Sequence, residues 1–211
     1  MSHVVVACGG QGTRLGYTGQ KCLVPIDGRP FLYYKLDELR ANGATSYTLL
    51  VAHHSETVYS AVRDEWRGLP VYYHHDSGRG PWEAVRDAAP QLPETFWVTW
   101  GDTLFDQPLD QPYQPLRFIT PELGVERPNV GKQFLDAGLY HVNRDDPCPR
   151  WWMEQVRHIP TWTINTPDQL ERTRAHIRRH SSTSGDRGME RASVGVGVHD
   201  EPDTVQTVGS D

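Results

Sequence analysis

No stretch of this 211-residue chain approaches the roughly twenty successive apolar residues that a membrane-crossing helix needs. The N-terminus also lacks the charged-then-apolar order of a signal peptide. Together these absences lead us to expect a cytoplasmic protein. Cysteine is scarce: Cys8, Cys22 and Cys148 are odd in number and widely spread. That fits reduced thiols, and neither a disulfide framework nor a zinc site. Basic charge is in deficit as well. At a net charge of -6 the chain has no general means of neutralising nucleic acid or anionic lipid, so any phosphate chemistry must be local. Internal repeats are missing, and no Ser-His-Asp or Cys-His set stands in a convincing context. The adjacent histidines His53-His54 and His74-His75 would point to opposite faces of a strand and chelate a metal poorly.

What the chain does have is enough apolar matter for one substantial core, with 37% hydrophobic and 10% aromatic residues. Short β-rich runs alternate with amphipathic stretches, the pattern of a mostly parallel sheet covered by helices. Strands are expected at 3–7, 47–52, 71–74, 96–100, 116–120 and 137–142. Helices are expected at 30–41, 55–66, 81–89 and 167–179, the last with proline at its first position and basic residues late. The composition shifts to Ser, Thr, Gly, Asp and Val from Ser181. The expected organisation is one α/β domain over 1–180 and a disordered or loosely attached tail over 181–211, with an added edge strand at 192–198 as the alternative.

The first strand runs into Gly9-Gly10-Gln11-Gly12. A glycine-rich turn at the carboxyl edge of such a sheet lets backbone N–H groups approach a phosphate or a base. The dinucleotide fingerprint would need a third glycine where Leu15 stands, and a P-loop would need Gly-Lys before Ser or Thr, whereas Lys21 follows Gln20 and precedes Cys22.

The compound motif Gly9-Gly10-Gln11-Gly12-Thr13-Arg14-Leu15, then Lys21-Cys22-Leu23-Val24-Pro25, then Gly28-Arg29-Pro30-Phe31-Leu32 resembles the signature of the sugar-1-phosphate nucleotidyltransferases. The resemblance implies the nucleotide-diphospho-sugar transferase fold, a Rossmann-like three-layer α/β/α arrangement around a mixed, mostly parallel sheet. It also implies that Ala7, Gly9, Gly10, Gly12 and Thr13 wrap an NTP, that Arg14 contacts its β and γ phosphates, and that Lys21 contacts the phosphates near the reacting centre. Gln20 stands where the family usually has proline, and the loop from Arg14 to Lys21 is short, as it also is in molybdenum-cofactor guanylyltransferases.

Other islands extend the resemblance. Gly101-Asp102 after the 96–100 strand is similar to the family's Gly-Asp, which makes Asp102 the implied magnesium ligand and a catalytic residue, while Asp106 reads as a loop cap. Asn165, in Asn165-Thr166-Pro167-Asp168-Gln169-Leu170, is the candidate second ligand; the alternative is that this stretch merely starts a helix. Thr163 stands where other branches use Asp. Gly80 and Trp82 fall where the family recognises the base, Trp82 either stacking or packing. Val125-Glu126-Arg127-Pro128 resembles the family's sugar segment, so Glu126 would contact the sugar and Arg127 its phosphate, unless they form a solvated pair. Gly138 lies in the strand that follows. The run Trp151-Trp152-Met153 is expected to pack a helix or flap onto the sheet, with a partner interface as the alternative.

The implied reaction joins an NTP to a sugar 1-phosphate with Mg2+ as cofactor. Transfer to a non-sugar acceptor, such as a molybdenum cofactor or an alcohol phosphate, and a silent nucleotide-binding module are the alternatives. The partners are these small molecules and no nucleic acid, with a homo-oligomer left open.

Overall fold

In a computed structural model of the chain, the described residues are 2–52, 54–105, 116–120, 135–147, 156–158 and 161–184. The elements follow in chain order. Strand β1 (His3–Ala7) leads through a glycine-rich loop to a small hairpin, β2 (Pro25–Ile26) and β3 (Arg29–Pro30), and then to helix α1 (Phe31–Ala41). Next come β4 (Ser46–Val51), α2 (Ser55–Val62), β5 (Glu65–Trp66), β6 (Leu69–His75), α3 (Pro81–Ala88) and β7 (Thr95–Trp100). The remainder is β8 (Thr103–Phe105), β9 (Leu116–Thr120), β10 (Leu135–Asn143), β11 (Val156–His158), β12 (Thr161–Thr163) and α4 (Pro167–Ser184).

Eight strands form one mixed sheet in the order β11-β9-β10-β7-β1-β4-β6-β5. Its centre is parallel: β1 pairs with β4 and β7 on its two sides, and β4 with β6. The run Val4-Val5-Val6 is fully buried, as β-branched residues on a strand covered on both faces should be. Leu32, Leu36 and Leu39 of α1 and Val58 and Val62 of α2 pack with Val4, Val6, Leu49 and Trp97 on one face. Ala84, Val85 and Ala88 of α3 pack with Val5, Leu50, Val98 and Tyr140 on the other. The three layers follow from these two clusters. A third cluster, with Ile26, Phe31, Leu104, Ile164 and Ile177, seats the small hairpin, β8 and α4 beside α1.

Two helix expectations need correction. The second helix does not reach residue 66. It stops at Val62, where Arg63 takes a positive φ of 60°, and a tight β5–β6 hairpin follows with Arg67 at 48° and Gly68 at 86°. Positive φ at both central residues is the turn geometry that matches strand twist, and Arg-Gly is an inconspicuous sequence for it. The last helix runs on to Ser184, four residues into the stretch read as tail. The short strands β2, β3, β8, β11 and β12 went unanticipated because two or three residues carry no period. The strand expected at 116–120 is present as β9.

At the opposite edge of the sheet from the glycine loop, the buried His3 ring bridges Ser46 Oγ at 2.7 Å and Thr48 Oγ1 at 2.9 Å. Burial pushes its pKa below the ordinary 6.5. Above pH 6.5 the ring is neutral in the folded and unfolded chains alike, so stability is unaffected. As pH falls through 6.5 the unfolded chain takes up a proton that the folded one refuses until lower pH, and stability is lost across that window. Thermal melts at pH 7.5 and 5.5 should therefore show a smaller drop for His3→Gln than for the parent chain; equal drops would remove His3 from the acid sensitivity.

Candidate functional site

The chain order places the site. From β1 the connections move outward to β4 and β6, then return across β1 to β7. The loops after β1 and β7 therefore diverge from neighbouring strand ends, the position at which open α/β sheets form a crevice. A cavity of about 280 Å³ lies there, bounded by Ala7, Gly9 and Gly10 on one side and by Trp100 and Asp102 on the other, with Lys21, Asp76 and Pro81 around its rim. The Gly101 N–H donates to Ala7 O at 2.9 Å and stitches the two loops together. A Cβ at Gly101 would come within 2.9 Å of Ala7 O and 3.1 Å of Cys8 Sγ, so only glycine permits this approach.

Within the glycine loop, Lys21 N–H donates to Gly10 O at 3.0 Å and Tyr17 N–H to Gly12 O at 3.1 Å, closing the segment on itself. Thr13 and Arg14 sit exposed on a short 3-10 turn, and among the described residues Arg14 makes no ion pair. Lys21 opens the next 3-10 turn and points inward, its side chain only 14% exposed. Its Nζ donates both to Asp102 Oδ2 and to Asn165 Oδ1. Residues 81 and 144 positions further along the chain thus meet around the Lys21 ammonium.

Each of those two residues is held by further hydrogen bonds at its other atoms. Thr103 Oγ1 donates to Asp102 Oδ1 at 2.9 Å, and Ile164 N–H donates to Asp102 O at 3.1 Å. The β8–β12 pairing, Thr103 to Thr163 and Phe105 to Thr161, brings Asp102 and Asn165 to the same end of a two-stranded ribbon. Thr166 caps α4 by accepting Gln169 N–H at 3.3 Å, while Gln169 Oε1 accepts Asn165 N–H at 3.1 Å, a reciprocal arrangement close to a capping box. Pro167 therefore does start a helix, and that start presents Asn165 to Lys21.

The oxygens of Asp102 and Asn165 are hard donors converging on a single cationic point, which is what magnesium requires of a protein that leaves its other positions to water and phosphate. The residues fit such an ion. The Cys8 thiol beside it does not supply a nucleophile: hydrogen bonding to Cys22, followed by burial, pushes it well above its ordinary range.

Of the other expected residues, Gly80 precedes Pro81 at the start of α3. Trp82 is half-buried and meets Trp100 and Tyr140 edge-on, with ring centroids 5.4 and 4.7 Å away. That gives it a packing contact behind the cavity wall that Trp100 forms. Gly138, with φ of 70°, lies under Trp100, and a Cβ there would fall 2.0 Å from Trp100 Cδ1. The expectations for Asp106, Glu126, Arg127, His53, Cys148, the 151–153 run and the 192–198 strand fall outside the described residues.

Sequence reasoning passed over Thr103, Gln169 and Asp76. The first two carried a signal: a hydroxyl directly after the carboxylate, and an amide three residues after a Thr-Pro helix start. Asp76 sits one residue beyond β6, its Oδ1 accepting Gly78 N–H at 2.8 Å, and resembles any strand-end turn until the fold brings it to the cavity.

Residues 4–116 match the family model of the MobA-like NTP transferase domain. Among curated proteins, the chain is 31% identical over 108 residues to a UTP–glucose-1-phosphate uridylyltransferase of Haloferax volcanii. That match covers 49% of this chain and 44% of the relative. It is 28% identical over 108 residues to a D-glycero-α-D-manno-heptose 1-phosphate guanylyltransferase of Campylobacter jejuni, covering 49% of each. The chain thus spans about half the length of the curated relatives it matches. Among solved structures, HddC from Yersinia pseudotuberculosis complexed with GMP-PN superposes with a TM-score of 0.65 at 18% identity, over 84% of this chain and 100% of that one. The sheet and its helices are those of a nucleotide-diphospho-sugar transferase fold. No helix among the described residues is long and apolar enough to cross a membrane.

Proposed function

This chain belongs to the family of MobA-like NTP transferase domains, and from that membership we propose that it joins an NTP to a sugar 1-phosphate, giving an NDP-sugar and pyrophosphate. The observation that carries the proposal is the convergence of Lys21, Asp102 and Asn165 at the carboxyl edge beside the glycine loop. The two curated relatives above, both named for sugar 1-phosphate substrates, support the sugar acceptor.

In the proposed reaction an oxygen of the acceptor phosphate attacks the α-phosphorus, the bond from that phosphorus to the β-phosphate oxygen breaks, and the electron pair leaves with pyrophosphate. No protein nucleophile is needed; position and positive charge suffice. Backbone N–H groups of the Gly9–Gly12 loop receive the triphosphate, and Arg14, on its exposed turn, closes over the β and γ phosphates. Lys21 neutralises the charge that builds at the α-phosphate. Asp102 and Asn165 would hold Mg2+, which would supply positive charge that eases the departure of pyrophosphate. Lys21 occupies the point at which those two oxygens converge. For those oxygens to hold a metal the ammonium would have to move off them, and a bound triphosphate would offer it another anionic partner. Glu126 and Arg127 are assigned to the sugar phosphate, and Gly80 and Trp82 to the neighbourhood of the base. The buried free thiols Cys8 and Cys22 suit the reducing cytoplasm, where NTPs and magnesium are abundant.

The test is pyrophosphate release with Mg2+ across the common NTPs and a panel of sugar 1-phosphates. Release that depends on one NTP and one sugar phosphate is expected. NTP consumption only with another phosphate acceptor would move the assignment to non-sugar transfer, and NTP binding without turnover to a silent module.

A further inference from the structure

Helix α1 carries a charged pair that the reaction above does not use. Lys35 is wholly buried, an unfavourable place for an ammonium. Its Nζ lies 2.9 Å from Glu38 Oε2 and 3.6 Å from the centroid of the Phe105 ring. The other oxygen of Glu38 accepts the backbone N–H of the same Phe105. Burial pushes the Lys35 pKa down, while the charge of Glu38 and then that of Asp102 hold it up. A methionine or leucine would fill the space without an ion pair, and replacing a buried pair by apolar residues of similar volume is often neutral or stabilising. Packing alone gives no account of the charges.

We propose that Lys35 and Glu38 are positioning residues that clamp β8 to α1 and thereby hold Asp102 and Asn165 at the spacing where one cation meets both. The clamp grips Phe105 by its ring face and its backbone. Phe105 ends a three-residue strand that begins beside Asp102 and pairs with β12, which leads to Asn165. Fixing one end of so short a ribbon fixes the other. The same helix is tied to the Lys21 turn, because Phe31 N–H donates to Val24 O at 3.0 Å and Val24 N–H to Lys21 O at 3.1 Å. One rigid element therefore sets the relative positions of all three groups. This inference rests on the proposed metal-assisted transfer.

The experiment compares the parent chain with Lys35→Met/Glu38→Met, which removes both charges and the acceptor for Phe105 but keeps side-chain volume. Melting temperature, kcat, KM for the NTP, and Mn2+ affinity in the presence of a non-hydrolysable NTP analogue, read by electron paramagnetic resonance, are measured together. The double variant should melt near the parent temperature, bind Mn2+ on the order of tenfold more weakly, and lose kcat by a similar factor with KM little changed. Glu38→Gln, which still accepts the Phe105 N–H, should recover most of the Mn2+ affinity that Glu38→Met loses. A merely structural pair predicts that a well-folded double variant keeps Mn2+ affinity and kcat within about twofold, and that result would overturn the proposal. Should the double variant fail to fold, Phe105→Leu removes the ring face alone; it should weaken Mn2+ binding at least about threefold, and unchanged affinity would overturn the clamp. If the parent chain releases no pyrophosphate with any acceptor, the transfer reading fails on its own, while the Mn2+ comparison still decides the clamp.

Discussion

Lys21→Met should lower turnover by about 10²–10³-fold, the usual loss when one pre-aimed cationic or hydrogen-bond donor is taken from a developing anionic centre. The side chain is well buried at the cavity rim, and methionine keeps its aliphatic length, so the fold should survive. The same substitution has a second consequence of opposite sign. In the parent chain the ammonium sits on both Asp102 Oδ2 and Asn165 Oδ1. Two unit charges about 4 Å apart near a protein surface interact by roughly 4 kcal/mol, so removing the competing cation frees the oxygens and removes a strong repulsion. Lys21→Met should therefore bind free Mn2+ at least about tenfold more tightly than the parent in the absence of nucleotide. Paired measurements of turnover and Mn2+ binding check this: a variant that loses activity without gaining metal affinity contradicts the exchange of Lys21 for metal.

Asp102→Asn should have a comparable or larger effect on turnover, roughly 10³-fold, equivalent to about 4 kcal/mol of transition-state stabilisation. Asn preserves the shape and can still accept from Thr103 Oγ1, which donates to Asp102 at 2.9 Å, so local structure is retained while the one negative charge of the pair is lost. Asn165 contributes a neutral oxygen, which leaves Asp102 as the only charged acceptor for Lys21 among the described residues. The Mg2+ concentration for half-maximal rate should rise at least about tenfold. A magnesium titration of initial pyrophosphate release measures both quantities, and a parent-like curve would remove Asp102 from metal binding.

Much of the central sheet could be read from the sequence, because buried parallel strands such as Val4-Val5-Val6 and Phe96-Trp97-Val98 announce themselves as apolar runs. Glycine-rich and Gly-Asp segments directly after such runs located the cavity, since a strand that ends in such a loop ends at one edge of the sheet. Long-range geometry was not legible. That Asn165 and Asp102 share one cation depends on the three-residue strands β8 and β12 finding each other, and no periodicity marks strands that short. Lys35 and Glu38 were hidden for another reason. A lysine and a glutamate three apart on a helix read as a solvated pair, and only the packing of Phe105 against α1 turns them inward. The β5–β6 hairpin escaped because Arg67-Gly68 adopts positive φ at both positions without the asparagine or aspartate that usually marks such a turn.

The most direct test of the central claim is the fate of label from an NTP carrying ³²P at the α-phosphate in one reaction and at the γ-phosphate in another, with the sugar 1-phosphate that supports turnover. Transfer at the α-phosphorus predicts that the α label appears in the sugar-linked product and the γ label in pyrophosphate, both abolished together in Lys21→Met. Recovery of the γ label in the acceptor, or of both labels only in unreacted NTP, would contradict nucleotidyl transfer at this site.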